Sequence, residues 1–404
     1  MNTPSNSNHA FLLKIGVLLH QHGTPSHRLE NVMLKLGRKL EIGTTCLYTP
    51  TALLLAFTDE LGESTYLRRV NSGQVDVDKL IRFDETLENF ESGKITVNEA
   101  SHQLQVIADG TTPYPEWLTV LVCSLSCASV AVFFRGSLAE VIASLFIGLM
   151  IAVLEWGSSK LNWEPGLLGP VAGFAAAIVS LAIAHFVIPI DDRLVTLAGL
   201  IVLVPGLQIT VSLNELAVGH LSAGVARLAG GCVSLLTLTI GVAICWRLFA
   251  GWRNIPDPLM GGIQANDWWQ WCAIFIAPIT FAVIFRARWP QWPIIIAVSV
   301  AGFLASLFAG QQMGMEVGAA CGALAVGCGS NLYARIRNRP ALVPLTPGIL
   351  ILVPGSLGYR SLTAFLDSDT MAGIDLAFKM MIVAVALVGG ILIANVVVPP
   401  KRIL

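Results

Sequence analysis

Two short segments hold the residues best able to do chemistry. The segments 199-GLIVLVPGL-207 and 348-GILILVPGS-356 each set a Val-Pro-Gly triplet inside an apolar run, and the triplets recur in register 149 residues apart (353 − 204). Proline removes one backbone donor and clashes with the carbonyl four residues back, so a helix opens at each triplet. Inside a bilayer the freed carbonyls and amides are tolerable only where protein, water or a cargo satisfies them. The half-helix that resumes presents amides at its positive end, from Leu207 and Gln208 in one copy and from Ser356 and Leu357 in the other. Such an end suits a carboxylate, while the carbonyls just before it suit an ammonium group or a proton-linked water. Val204, Pro205, Gly206, Leu207 and Gln208, with Val353, Pro354, Gly355 and Ser356, are the expected substrate-binding residues, the cargo lying between the two breaks. The bland alternative for each Pro-Gly pair is a structural kink.

Ionisable groups within the apolar runs are few, and charges at membrane depth are functional candidates. Glu215, beside Asn214, lies ten residues past Pro205, about 15 Å along a helix axis, where it could gate one side or bind a proton. Asp375 and Lys379 stand at i and i+4 and suggest a local ion pair. These four are the coupling or gating candidates. Glu140, Glu155 and Arg227 read instead as interfacial helix-end charges. Near the amino terminus, 26-SHRLE-30 puts His27, Arg28 and Glu30 at the start of a helix. They could bind an anion, or simply form a solvated helix start with a capping carboxylate.

No catalytic constellation emerges. The seven histidines form no ligand pair on a helix face, no Walker A loop is present, and the eight cysteines lack zinc-finger spacing. The expectation is a non-enzyme without metal or cofactor. A net charge of −1 gives no basic footprint for nucleic acid.

The elements that position these residues follow from composition. Hydrophobic types make up 54 % and charged types 13 % of 404 residues, with mean hydropathy +0.70, against roughly 25 % charged in a soluble domain. Residues 1–116 hold 24 of the 51 formal charges (10 basic, 14 acidic), and the other 288 hold 27. Residues 1–110 therefore read as a compact α+β domain. Amphipathic helices at Phe11–Leu19 and from an N-cap at Ser26 precede β-like runs at 44–57 and 63–70, and helices near 76–91 and 96–108 follow. A linker spans 111–116.

From Trp117, apolar stretches of bilayer length predict ten spans: 117–134, 137–155, 167–189, 194–213, 222–247, 269–286, 291–309, 314–333, 340–360 and 373–398. The fourth and ninth share the Val-Pro-Gly break. The third (Gly169, Gly173, Ala177) and the eighth (Gly314, Gly318, Gly322) share a small-residue face. The fold class is thus an α-helical polytopic membrane protein built as two five-helix repeats, 117–250 and 267–398, with a loop at 251–266 and a tail at 399–404. Five is odd, so the repeats are inverted, an architecture common among secondary transporters. Nine basic residues fall in loops on the amino-terminal side and five in the others, which places both termini in the cytoplasm.

These residues resemble the threonine/serine exporter (ThrE) family over nearly the whole chain. Up to about residue 250 the chain is similar to its YjjP-type component, through Arg28–Glu30, Val204-Pro205-Gly206, Asn214-Glu215, Gly219-His220 and 224-GVAR-227. From about 267 it is similar to the smaller YjjB-type component, through 340-PALVPLTPGILILVPGSLGYR-360. The resemblance implies a multi-pass protein of the cell (inner) membrane that exports small hydrophilic metabolites, driven by the proton-motive force. Threonine and serine are the substrates of the namesake members, and succinate is associated with the split ones. The expected partners are an amino acid or dicarboxylate, protons and the bilayer, and a homo-oligomer is admitted. C4-dicarboxylate export is the alternative, and a membrane-anchored signalling or hydrolytic protein acting through residues 1–110 is a further one.

Overall fold

In a computed structural model, residues 7–60, 62–71, 73–164, 166–252 and 267–400 are described. Two helices, α1 (Ser7–Gln21) and α2 (Ser26–Lys39), open the chain. The apolar stripe Phe11, Leu12, Ile15, Leu18 and Leu19 is buried as its spacing requires, and Gly23 (φ +84°) turns the chain into α2. Pro25, extended at φ −61° and ψ 150°, is the residue before α2, so Ser26 is its first residue and not its cap. The Ser26 hydroxyl has no partner among the described residues. Its amide is satisfied by a carboxylate from a distant segment, as described below.

The run 44–57, expected as one strand, folds into two. β1 (Gly43–Thr49), β2 (Ala52–Asp59) and β3 (Gly62–Arg69) form an antiparallel sheet in the order β1-β2-β3. The reason is Pro50, which cannot donate to a ladder. Thr49 closes the turn, its hydroxyl donating to the Ala52 carbonyl (3.1 Å) and accepting from the Ala52 amide (3.0 Å). One face of β2 (Leu53, Leu55, Phe57) is wholly buried in the same core as α1 and α2. α3 (Val77–Glu91) is capped by Asp76, and α4 (Val97–Asp109) by a Thr96–Glu99 capping box. That core also takes in Ala223 and Leu342, so these elements pack directly onto the helices that follow.

The remainder is helical: α5 (Glu116–Phe133), α6 (Leu138–Lys160), α7 (Leu168–Phe186), α8 (Asp192–Leu200), α9 (Gly206–Ala217) and α10 (Leu221–Leu248). After the segment 253–266, which lies outside the described residues together with most of the expected 251–266 loop, come α11 (Asp267–Ile284), α12 (Trp292–Met313), α13 (Met315–Arg337), α14 (Leu342–Leu350), α15 (Gly355–Leu366) and α16 (Thr370–Val397). Residues 401–404 of the tail are also outside. Among the described residues, eight helical stretches are long and apolar enough to cross a membrane. They are α5, α6, α7, α10, 289–313, α13, the α14–α15 run and α16, while α11 is a shorter apolar helix. Their outer faces expose Phe146, Val153, Val233, Ile240, Phe378 and Val385, as lipid contact requires. The chain is a multi-pass membrane protein.

Packing pairs recur between the two halves. α7 packs on α10 as α13 packs on α16, α6 on α8 as α12 on α14, and α9 on α10 as α15 on α16. The closest approaches need bare backbone. A Cβ on Gly173 would lie 2.1 Å from the Leu238 carbonyl oxygen, and one on Gly390 2.3 Å from that of Ala320. Gly314 departs from the expected small-residue face. At φ +95° it is the one-residue turn between α12 and α13, a conformation that favours glycine.

Candidate functional site

Both Val-Pro-Gly triplets interrupt their helices. α8 stops at Leu200 and α9 starts at Gly206, and α14 stops at Leu350 and α15 starts at Gly355. The two prolines adopt nearly the same conformation immediately before the resuming half-helix, Pro205 at φ −78°, ψ 36° and Pro354 at φ −82°, ψ 29°. The Leu207, Gln208 and Ser356 amides have no backbone acceptor among the described residues, whereas Leu357 donates to the Pro354 carbonyl (3.1 Å). Leu357 therefore does not offer the free donor its position suggests.

The breaks touch. A Cβ on Gly206 would lie 2.4 Å from Val353 Cγ1 and 2.9 Å from the Gly355 Cα; one on Gly355 would lie 2.9 Å from Val204 Cγ1 and 3.1 Å from the Gly206 Cα. Val204, Pro205, Gly206, Val353, Pro354 and Gly355 are thus brought together from opposite halves of the chain. No side chain fits between the glycines, so a cargo lodged between the breaks requires them to part. Gln208 turns away and donates from Nε2 to the Arg227 carbonyl on α10 (3.0 Å).

One helix beyond the first break lies a second cluster. Glu215, near the end of α9, is fully buried. Its Oε1 accepts from the Ser26 amide (3.1 Å), which places a carboxylate at the positive start of α2. Arg227 on α10 donates to it from Nε (3.0 Å to Oε2) and Nη2 (3.3 Å to Oε1), and Nη2 also donates to the Tyr48 hydroxyl of β1 (3.1 Å). Arg227 is therefore not an interfacial helix-end charge but the partner of the one wholly buried carboxylate on α9. The turn between α9 and α10, with Gly219 at φ +90°, folds the two helices into the hairpin that pairs them. His220 at that turn sits 3.4 Å from Glu30, and its ring centroid is 6.2 Å from that of His27. The start of α2, read as a solvated helix start, is buried at Ser26 and Arg28.

The expected gating residues separate here. Glu215 belongs to the cluster, whereas the Oδ1 of its sequence neighbour Asn214 has no partner among the described residues. Asp375 and Lys379 form the anticipated ion pair (2.7 Å) on an exposed face of α16 and, among the described residues, make no polar contact with Glu215 or either break. Glu140 completes a capping box with Ser137 and accepts from the Asp191 amide (2.9 Å), and Glu155 lines a crevice with Cys123, Cys127, Gly199 and Val202. Tyr48 carries no signal in the sequence that marks it as a partner.

The second half meets the amino-terminal layer through different contacts. Arg286 pairs with Asp76 (3.1 Å), Arg288 with Asp78 (2.7 Å) and Arg339 with Glu85, and the Val77 amide donates to the Phe285 carbonyl (2.9 Å).

Two interrupted helices meet backbone to backbone inside an apolar bundle, an arrangement typical of secondary transporters. Residues 10–249 match the family described as "Putative threonine/serine exporter", and residues 270–397 match "Threonine/Serine exporter, ThrE". The chain belongs to this threonine/serine exporter family of membrane transporters. It is also similar to proteins named pheromone-regulated membrane protein 10. Against that of Eremothecium gossypii it is 26 % identical over 364 residues, covering 87 % of this chain and 49 % of the relative. Against that of Candida albicans strain SC5314 it is 27 % identical over 365 residues, covering 87 % and 33 %, and against that of Saccharomyces cerevisiae strain YJM789 it is 26 % identical over 363 residues, covering 87 % and 47 %. The chain thus spans a third to a half of the length of these relatives. No solved structure matches it.

Proposed function

We propose that the protein is a secondary active exporter of small hydrophilic metabolites, threonine and serine foremost, driven by the proton-motive force across the cell's inner membrane. In this reading α8–α9 and α14–α15 each cross the bilayer as one interrupted span. With α11 this makes ten spans arranged as two inverted five-helix repeats, 117–250 and 267–398, and both termini and the 1–110 layer lie in the cytoplasm. The single observation that carries the reading is the direct contact of Gly206 with Gly355 at two matched proline breaks. The Leu207, Gln208 and Ser356 amides beside that contact are donors awaiting an acceptor, and a carboxylate is the acceptor a half-helix start favours. Parting of the breaks admits the cargo, and their contact closes the path behind it. Glu215 is the proposed gate, since it ties the half-helix following the first break to α2.

A second reading, export of a C4-dicarboxylate such as succinate, keeps the same scaffold. What favours it is that each break offers its own half-helix start, hence two places for a carboxylate. Counterflow of labelled threonine, serine and succinate into proteoliposomes, with and without an imposed pH gradient, separates them. Threonine and serine uptake that the gradient accelerates supports the first reading. Succinate uptake without threonine uptake replaces it by the second, and no uptake of any of the three removes both.

A further inference from the structure

One buried guanidinium leaves a nitrogen without a partner among the described residues. Arg28, in the first turn of α2, is 8 % exposed, and its Nη1 has no hydrogen-bond partner among the described residues. Burial alone pulls it from 12.5 down to about 10, with no carboxylate acting on it. It remains charged at neutral pH, and a buried charge without a counter-charge is expensive. Beside it, His27 also leaves Nδ1 unpartnered. Burial first, then the charges of Arg28 and His220, push His27 down to about 3, so its imidazole is neutral at pH 7. The His220 ring stands 6.2 Å away across the seam between α2 and the α9–α10 turn. The nearby carboxylates are engaged elsewhere. Glu215 is held by the Ser26 amide and Arg227, and Glu30 lies against His220 at 3.4 Å.

We propose that Arg28, His27 and His220 form a binding site for a small oxyanion at this seam, distinct from the paired helix breaks. Arg28 supplies the charge and a planar fork of donors that suits a carboxylate or phosphate. His27 supplies a neutral ring donor, and His220 brings a second imidazole ring to the other side of the seam. The same chemistry fits two sources: a carboxylate cargo met before it reaches the breaks, or free phosphate acting on the seam. The site does not depend on the export reading, because its geometry involves neither Gly206 nor Gly355.

The test uses the purified full-length protein in detergent at pH 7, titrated calorimetrically with succinate, threonine and inorganic phosphate, with melting temperature as a second readout. Wild type binds at least one of the three saturably, Arg28→Met weakens that binding by at least about ten-fold, and Arg28→Lys restores part of it. His27→Gln weakens it too. Without anion, Arg28→Met melts no lower than wild type, because it removes an unpaired buried charge. Binding of succinate or threonine identifies the site with cargo, and binding of phosphate alone identifies it with free phosphate; either result supports the site. No binding by wild type, unchanged binding in both Arg28→Met and His27→Gln, or a lower anion-free melting temperature for Arg28→Met overturns it. Counterflow is measured separately, so a failed export reading leaves this result interpretable.

Discussion

The two interrupted helices share a backbone but not an electrostatic surrounding. Pro205 and Pro354 hold the same conformation, and each half-helix that follows runs for 12 residues. Moving 149 residues on from Glu215 reaches Ala364, and from Arg227 reaches Leu376. The buried pair and its ties to Ser26 and Tyr48 therefore belong to the first copy alone. The second copy touches the amino-terminal layer through Arg286, Arg288 and Arg339, and the first two of these lie ahead of α12, far from the break in the chain. The difference teaches that both breaks keep what backbone geometry demands, here a bare glycine at a contact, while side-chain chemistry specialises around one of them.

The symmetric part breaks most visibly. Gly206→Leu and Gly355→Leu each place a side chain where a Cβ alone would overlap the opposite segment, so each abolishes counterflow while membrane-inserted protein persists. If one of the two transports normally, the breaks are not equivalent. The asymmetric part is tested next. Glu215→Gln or Arg227→Met leaves half of a buried ion pair uncompensated and lowers stability by about 3–5 kcal/mol. The double substitution loses less than the sum of the two, as thermal melts in detergent will record; additive losses would show that the pair is not coupled.

A smaller effect reports on the seam itself. His27 is held at about 3 in the folded protein against 6.5 unfolded, so between those values the unfolded chain binds the extra proton. Stability from this group is intact above pH 6.5 and falls as the pH drops towards 3. His20 and His22, lowered by burial as well, add to the same slope. In anion-free buffer near pH 5, His27→Gln flattens the dependence by about one proton; an unchanged slope would place His27 in water. The smallest effect is expected in the second copy. Asp375→Asn and Lys379→Met break an exposed pair and leave counterflow and melting as they were, and a loss of transport would move coupling onto α16.

Much of the fold is legible in the chain. The apolar stripe of α1, the Thr96–Glu99 capping box and the two Val-Pro-Gly triplets are local signals, set by residues a few positions apart. The hairpin within 44–57 hangs on one proline inside a run whose β-forming residues hide the turn. The Glu215 cluster is less accessible still. Arg227 lies 12 residues away across a Gly-His turn, a hairpin signal that could have paired them, but Tyr48 is 179 residues from Arg227 and the Ser26 amide 189 residues from Glu215. Nor does any local pattern tell a helix start open to water from one covered by another element, which is why Arg28 reads as solvated until its burial is seen.

By itself the sequence determined where helices form, where two of them must open, and that most of the chain is too apolar for water. Those are consequences of propensity, ring geometry and hydropathy, all of which act over a few residues. Only the tertiary structure decided that the two openings press against each other, that Glu215 finds its partners on α2 and α10, and that Arg28 is left without one. Contact and burial depend on which distant surfaces meet, and no property of neighbouring residues fixes that.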